Sequence, residues 1–272
     1  MEENIITSVQ NARIKHVVAL QQKSSLRREE GLFVVEGRRE IEHCIACGYE
    51  IVEMFIVDSL LFIDDYPATK ITPQVYEKMA YRGSTEGVIA VAKCKPHQLS
   101  IVRSALPLGS SKNCQLSIKN SPLIVVLERV EKPGNLGAIL RTAEAAHVDA
   151  VIVCDPLTDV YNPNVIRASI GGVFSVPVAV STSEECIAYL KENNVRILTA
   201  QLQDSYPYYD YDMSGPTAIV MGTESTGLTQ QWREAADAHI RIPMLGRLDS
   251  LNVSVSAAIL IYEAVRQRQV KL

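Results

Sequence analysis

The chain has 272 residues, 47% of them hydrophobic, with a formal net charge of −4. That length can bury one large core or two modest ones, and no apolar run approaches the roughly 20 residues needed to span a bilayer. The acidic start Met1-Glu2-Glu3-Asn4 lacks a signal-peptide core, so a cytoplasmic protein with no membrane partner is expected. The charge deficit falls wholly after residue 115, so any contact with a polyanion has to come from local basic clusters.

Along the first hundred residues helical and strand patterns alternate. Ile14, Val17, Val18 and Leu20 have helical spacing, and the basic residues Lys23, Arg27 and Arg28 follow. Leu32-Phe33-Val34-Val35 reads as a short strand, and Gly37 precedes a helix over residues 38–47. Residues 51–57 form a second strand, Pro73 opens a helix at its first turn, and residues 87–92 form a third strand. This alternation predicts a small α/β domain. Cys44 and Cys47 make one CxxC inside a helix with no second pair to answer it, so buried thiols and no metal are expected.

Residues 104–122 lose all periodicity and are dominated by Ser, Asn, Gly, Lys and Pro, the composition of a linker. The expected organisation is a first domain over residues 1–105, a linker over 106–120 and a second domain over 121–272. The second domain opens with Leu123-Ile124-Val125-Val126-Leu127, a continuous apolar run suited to a parallel strand covered on both faces. Pro133-Gly134-Asn135-Leu136-Gly137 reads as a glycine-rich turn leading into a helix over residues 138–146, and residues 150–154 form the next strand, completing a βαβ unit. Further strands are expected at 195–200 and 218–221, and helices at 183–193 and 229–236. A long helix over 253–269 carries an apolar stripe at Ala257, Leu260, Ile261, Ala264 and Val265.

Three constellations in this second half carry chemistry. The first is Asn135-x-Gly137-x-x-x-Arg141, where a turn glycine lets a ligand approach the backbone and Arg141 reaches for an anion. A dinucleotide fingerprint is incomplete there, because Leu140 stands where the third glycine belongs, although Asp155 has the right separation. The second is Gly222-Thr223-Glu224-Ser225-Thr226-Gly227-Leu228, which brackets a carboxylate with glycines just after an apolar strand. Open α/β sheets bind ligands at that end. The third is Ile242-Pro243-Met244-Leu245-Gly246 followed by Ser250-Leu251-Asn252-Val253-Ser254-Val255-Ser256, with more hydroxyl and amide groups than one helix cap uses.

Together, in this order and at this spacing over residues 121–272, these segments resemble the three signature motifs of the SpoU (TrmH-like) RNA 2′-O-ribose methyltransferases of the SPOUT superfamily. The first half, through Ser8, Asn11, Lys15 and Phe33-Val34-Val35-Glu36-Gly37, resembles more loosely the substrate-binding domain of ribosomal-protein L30e type found in that family. The resemblance implies a C-terminal α/β fold with a mostly parallel sheet and a deep trefoil knot, beside a smaller L30e-like α/β domain. It further implies S-adenosyl-L-methionine as cofactor, a homodimer whose subunits complete the site, and an RNA substrate. Ribosomal RNA is favoured over transfer RNA, and a catalytically idle RNA-binding factor is the other alternative. Carried over by motif, the catalytic group is Asn135, Arg141, Glu224, Ser250 and Asn252, and the cofactor contacts are Gly222, Gly227, Ile242, Met244 and Leu251.

Arg141 is the base assigned by the resemblance, yet a guanidinium stays protonated in proteins. Gripping a phosphate, lowering the hydroxyl pKa and leaving the proton to phosphate or water suits it better. Ile166-Arg167-Ala168-Ser169-Ile170-Gly171-Gly172 resembles the family's RNA-facing loop, which marks Arg167 as an RNA contact. Lys15, Arg27, Arg28, Arg38 and Arg39 form the densest basic group and are the other expected RNA contacts. The run Tyr206-Pro207-Tyr208-Tyr209-Asp210-Tyr211 is expected to pack a loop rather than to stack bases.

Overall fold

A computed structural model describes residues 5–58, 63, 66–81, 86–99, 121–223 and 225–269. The described chain divides into two compact units, Met1–Pro96 with Asp159–Phe174, and His97–Thr158 with Ser175–Leu272. The expected linker over 106–120 lies outside the described residues. The segment Asp159–Phe174, within the span expected for the second domain, belongs to the first unit.

The first unit is built on four strands, β1 (Leu32–Glu36), β2 (Ile51–Ile56), β3 (Ala68–Lys70) and β4 (Val88–Lys93), in the order β1-β4-β2-β3. β4 runs antiparallel to β1 and β2, and β3 pairs parallel with β2. β3 is three residues of mixed polarity, which is why periodicity does not reveal it. The helices Ala12–Gln22 and Pro73–Met79 cover one face with Ile14, Val17, Leu20, Val75 and Met79 against Val34, Phe55 and Ile89. Their starts follow capping rules: Asn11 accepts from Arg13 N–H, and Thr72 caps the helix that Pro73 opens.

Phe33, alternating to the other face of β1, stacks on Tyr161 with ring centroids 4.3 Å apart and 18° between planes. Phe174 adds an edge contact to Tyr49 at 5.2 Å. The Tyr161 hydroxyl accepts from the Lys95 N–H at 2.9 Å, so the buried phenol is satisfied by backbone. Cys44 is buried on the helix Arg38–Ala46, and burial pushes its thiol pKa up to about 12. Such a thiol is inert at neutral pH.

The second unit is a seven-stranded sheet in which every pairing is parallel, ordered β7-β6-β5-β10-β8-β11-β9. Its strands are β5 (Leu123–Glu128), β6 (Ala150–Cys154), β7 (Val178–Ser181), β8 (Arg196–Ala200), β9 (Tyr206–Pro207), β10 (Thr217–Met221) and β11 (Ala238–Arg241). All residues of β5, β6 and β10 are buried, the two-sided burial that their continuous apolar runs anticipate. From β5 the chain builds outward through β6 to β7. It then returns to the other side, and β10 slots in between β5 and β8. The reversal creates a crevice at the carboxyl ends of the central strands.

Two helices frame that crevice. The helix Pro133–Ala145 starts five residues earlier than expected, so Asn135 and Gly137 lie in its first turns and not in a glycine-rich loop. Pro133 explains the difference: at the first helical position its missing N–H costs nothing and its φ is preset. The helix Val253–Gln269 packs against it and buries Ala257, Leu260, Ile261 and Ala264. Val265 is only half-buried, and the stripe ends in Arg268, which donates to the carbonyls of Ser121, Met213 and Gly215 at 2.6–3.0 Å. Among the described residues no helix is long and apolar enough to cross a membrane. The tyrosine run forms β9 and a 3-10 turn at Tyr208–Asp210, but Tyr206 and Tyr209 stand exposed at 64% and 54% and do not pack inward.

Candidate active site

A cleft of about 610 Å³ opens at the carboxyl ends of β8, β10 and β11. Its walls include Gly222, Gly227, Ile242, Met244, Ser250, Leu251 and Asn252. The second and third motifs therefore meet in one cavity, because β10 and β11, consecutive in sequence, flank β8 on its two sides. A smaller cavity of about 100 Å³ adjoins it, sharing Met221, Gly222, Thr223, Ser225 and Val253, and is lined on its far side by Asn135 and Glu128.

The loop after β10 folds back on its own start. Gly227 N–H donates to Thr223 O at 3.1 Å and Thr223 N–H to Gly227 O at 3.3 Å. Gly227 takes φ +68°, in the left-handed region. A Cβ on Gly222 would lie 2.3 Å from the Gly227 carbonyl carbon and 2.6 Å from Leu228 N. Only glycine allows this closure, which presents backbone to the cleft. The volume and the backbone-lined cradle suit a nucleotide-sized ligand. Glu224, expected in the catalytic group, lies outside the described residues.

The first and third motifs are tied directly. Asn252 Nδ2 donates to Asn135 Oδ1 at 3.1 Å, while Asn252 Oδ1 accepts from the N–H and hydroxyl of Ser254 at 2.9 and 2.6 Å. One side chain thus caps the terminal helix and fixes the Asn135 amide. Ser250, exposed on the cleft wall, donates to Asp249 at 3.2 Å. Arg141 stands apart from this group. It is exposed, lines neither cavity, and has no side-chain hydrogen bond or ion pair among the described residues.

Three residues of this neighbourhood do not belong to the motifs. Glu128, 1% exposed at the end of β5, accepts from the Thr229 N–H at 2.9 Å and its hydroxyl at 2.6 Å, anchoring the segment that follows the glycine loop. Gln201 and Arg233 line the large cleft, and each has a buried polar atom without a hydrogen-bond partner, Gln201 Oε1 and Arg233 Nε. Gln201 follows β8 directly, so the strand-end rule that singled out residues 222–228 would have found it as well. Arg233, on a short helix, gives no such signal.

In the first unit the basic residues have different fates. Lys15, Arg28 and Arg39 are exposed, and Arg38 is exposed with its guanidinium shared with Glu42 at 2.7 Å. Arg167 is exposed and donates to Asn164 at 2.8 Å. The expectation that Arg27 contacts RNA is corrected. It is 2% exposed, pairs with Asp159 at 2.5 Å, and donates to the carbonyls of Leu20 and Gln21 at 2.5 and 3.0 Å. These three hydrogen bonds from Nε and Nη1 serve the fold, because a buried charge persists only when paired.

A parallel, doubly wound sheet with a backbone-lined cleft at its switch-point end defines an α/β protein that holds a nucleotide-sized ligand. Residues 122–262 match the SpoU rRNA methylase family model, and residues 11–90 match an MRM3-like substrate-binding domain. The chain is 40% identical to the 23S rRNA (guanosine-2′-O-)-methyltransferase RlmB of Vibrio vulnificus, over 86% of this chain and 91% of that one. It is 27% identical to the 23S rRNA (guanosine(2553)-2′-O)-methyltransferase RlmP of Bacillus subtilis, over 94% and 97%. A crystal structure of an AdoMet-bound rRNA methyltransferase from Sinorhizobium meliloti superposes with TM-score 0.84 at 27% identity, covering 96% of this chain and 97% of that one. The chain belongs to the SpoU rRNA methylase family. It is an RNA ribose 2′-O-methyltransferase that uses S-adenosylmethionine.

Proposed function

We propose that the chain methylates a ribose 2′-hydroxyl of 23S ribosomal RNA, in the cytoplasm, as a homodimer. The observation that carries the reading is the single cleft joining Gly222, Ile242, Leu251 and Asn252, with Asn135 hydrogen-bonded to its rim. The 23S rRNA methyltransferase activity of the RlmB and RlmP relatives, which this chain matches over most of its length, supports the substrate class.

The cofactor, when bound, supplies a methyl group on a sulfonium, already a good electrophile. What the chain adds is orientation and help with one proton. Asn135, its amide fixed by Asn252, and Ser250 orient the ribose. Arg141 holds the phosphate beside the reacting nucleotide, which favours the alkoxide and leaves the proton to phosphate or water. Gly222, Gly227, Ile242, Met244 and Leu251 form the cofactor wall, and Glu224 belongs to the catalytic group by its motif.

Pairing of two copies is supported by Arg141, which makes no side-chain hydrogen bond or ion pair among the described residues and lines neither cavity of its own chain. It is supported also by exposed Val255 and Tyr262 on the terminal helix. Family membership supports a trefoil knot made by the C-terminal segment. Lys15, Arg28, Arg38, Arg39 and Arg167 contact RNA from the first unit.

Mapping 2′-O-methylation across total RNA from cells with and without the gene tests the reading. One methyl lost from 23S rRNA is the expected result. A methyl lost from a transfer RNA, or none lost anywhere, overturns it. Light scattering on the purified protein should give twice the mass of the 30.0 kDa chain.

A further inference from the structure

Arg233 sits on the helix Gln230–Ala235, immediately after the glycine loop, and lines the large cleft. Its Nε is buried with no hydrogen-bond partner, and the side chain has no ion pair among the described residues. A guanidinium brings five donors that are always charged. Leaving part of one in a dry place without an acceptor is unfavourable, and buried polar groups in native structures are nearly always satisfied. A terminal nitrogen of Arg233 lies 3.9 Å from where a Cβ on Gly227 would stand, so the group reaches the same loop that closes the cleft. In the same cleft, Gln201 Oε1 is a second buried atom without a partner, an acceptor that calls for an N–H or O–H.

The motif residues Gly222, Ile242 and Leu251 offer backbone and apolar surface, which suits an adenosyl group. They offer no charged donor to an α-carboxylate, the one anionic group of S-adenosylmethionine. We propose that Arg233 binds the cofactor's α-carboxylate and Gln201 accepts a hydrogen bond from its adenosyl part, so that these two side chains select the intact amino-acid-bearing nucleoside. The proposal rests on the cleft being the cofactor site. Arg241 also lines the cleft, but no atom of it is both buried and unpartnered, so it is the natural control.

Calorimetry on the full chain tests this with two probes, S-adenosylhomocysteine and 5′-methylthioadenosine, which lacks the carboxylate. Arg233→Met keeps the aliphatic stem and should weaken S-adenosylhomocysteine about 10- to 100-fold. 5′-Methylthioadenosine should stay within about twofold, since an Arg233 that merely braced the loop would affect both probes alike. Arg233→Lys should restore part of the loss, because an ammonium still attracts a carboxylate as a point charge. Gln201→Leu should weaken both probes together, and Arg241→Met should discriminate between neither. Equal losses for both probes in Arg233→Met, or no loss for S-adenosylhomocysteine, overturn the proposal while leaving the cleft as the cofactor site. Failure of the unaltered protein to bind either probe overturns the proposal and the cofactor site together.

Discussion

Asn252 donates to Asn135 across 117 positions of chain, and with its other amide atom caps the helix that follows. The two jobs separate experimentally. Asn252→Ser keeps a capping hydroxyl but is too short to reach Asn135, so stability should fall by less than about 1 kcal/mol. Methyl transfer should fall about 100-fold, since the loss acts on orientation. Asn135→Ala should lose as much, and the double variant no more than either, because both remove one interaction. Additive losses measured as kcat/KM would mean that the two amides act independently.

Arg141 is exposed and makes no side-chain hydrogen bond or ion pair among the described residues. Arg141→Ala should therefore leave the melting temperature unchanged, within about 0.5 kcal/mol of stability. It should leave S-adenosylhomocysteine binding unchanged and reduce transfer by at least about 100-fold. Arg141→Lys should recover part of the activity if the residue holds a phosphate. Mixed dimers of Arg141→Ala with Asn135→Ala should regain activity if Arg141 serves the partner's cleft, and full activity in homogeneous Arg141→Ala would remove it from the mechanism.

Gly222 meets backbone on its side-chain face, with the Gly227 carbonyl carbon 2.3 Å from a Cβ. Backbone cannot yield as a flexible side chain does. Gly222→Ala should open the loop and weaken cofactor binding at least about 10-fold, at a stability cost of about 1–3 kcal/mol for overpacking. Calorimetry and thermal unfolding read the two separately, and unchanged affinity would mean that the loop closure is irrelevant to the cleft.

Arg27 and Arg28 are adjacent, yet one is buried and the other exposed. Arg27→Met leaves Asp159 unpaired and should cost about 3–5 kcal/mol, the usual penalty for breaking a buried pair. Arg28→Ala should leave unfolding unchanged and lower RNA affinity, reducing the salt slope of binding by about 0.7–0.9. The opposite pattern in urea titrations and filter binding would reverse the assignment made from burial.

How much was legible in the sequence depended on length and hydropathy. β5, β6 and β10 are runs of five or six apolar residues and declare themselves. β7 and β11, four residues each at or near the sheet margins and only partly buried, fall below what periodicity resolves. The glycines at 134 and 137 have the composition of a loop, yet the proline between strand and helix opens the helix at Pro133. Within the site, residues 222–228 and 242–252 are recognisable as text, but their convergence depends on β10 and β11 flanking β8, which no local pattern encodes. Arg27 read as a surface charge because its partner Asp159 lies 132 positions away. The polar function of Gln201 and Arg233 is visible only as atoms left unsatisfied in three dimensions.

The unit that carries the basic surface is not one stretch of chain. Phe33 finds its stacking partner in Tyr161, and Arg27 its counter-ion in Asp159, both supplied by the loop between β6 and β7. Recombination that exchanged residues 1–96 alone between relatives would bring in a foreign Phe33 and Arg27 against a resident loop. New substrate preferences are therefore expected to arise by inheritance of the two segments together, or by point changes on the exposed Lys15, Arg28, Arg39 and Arg167, rather than by shuffling of a front module.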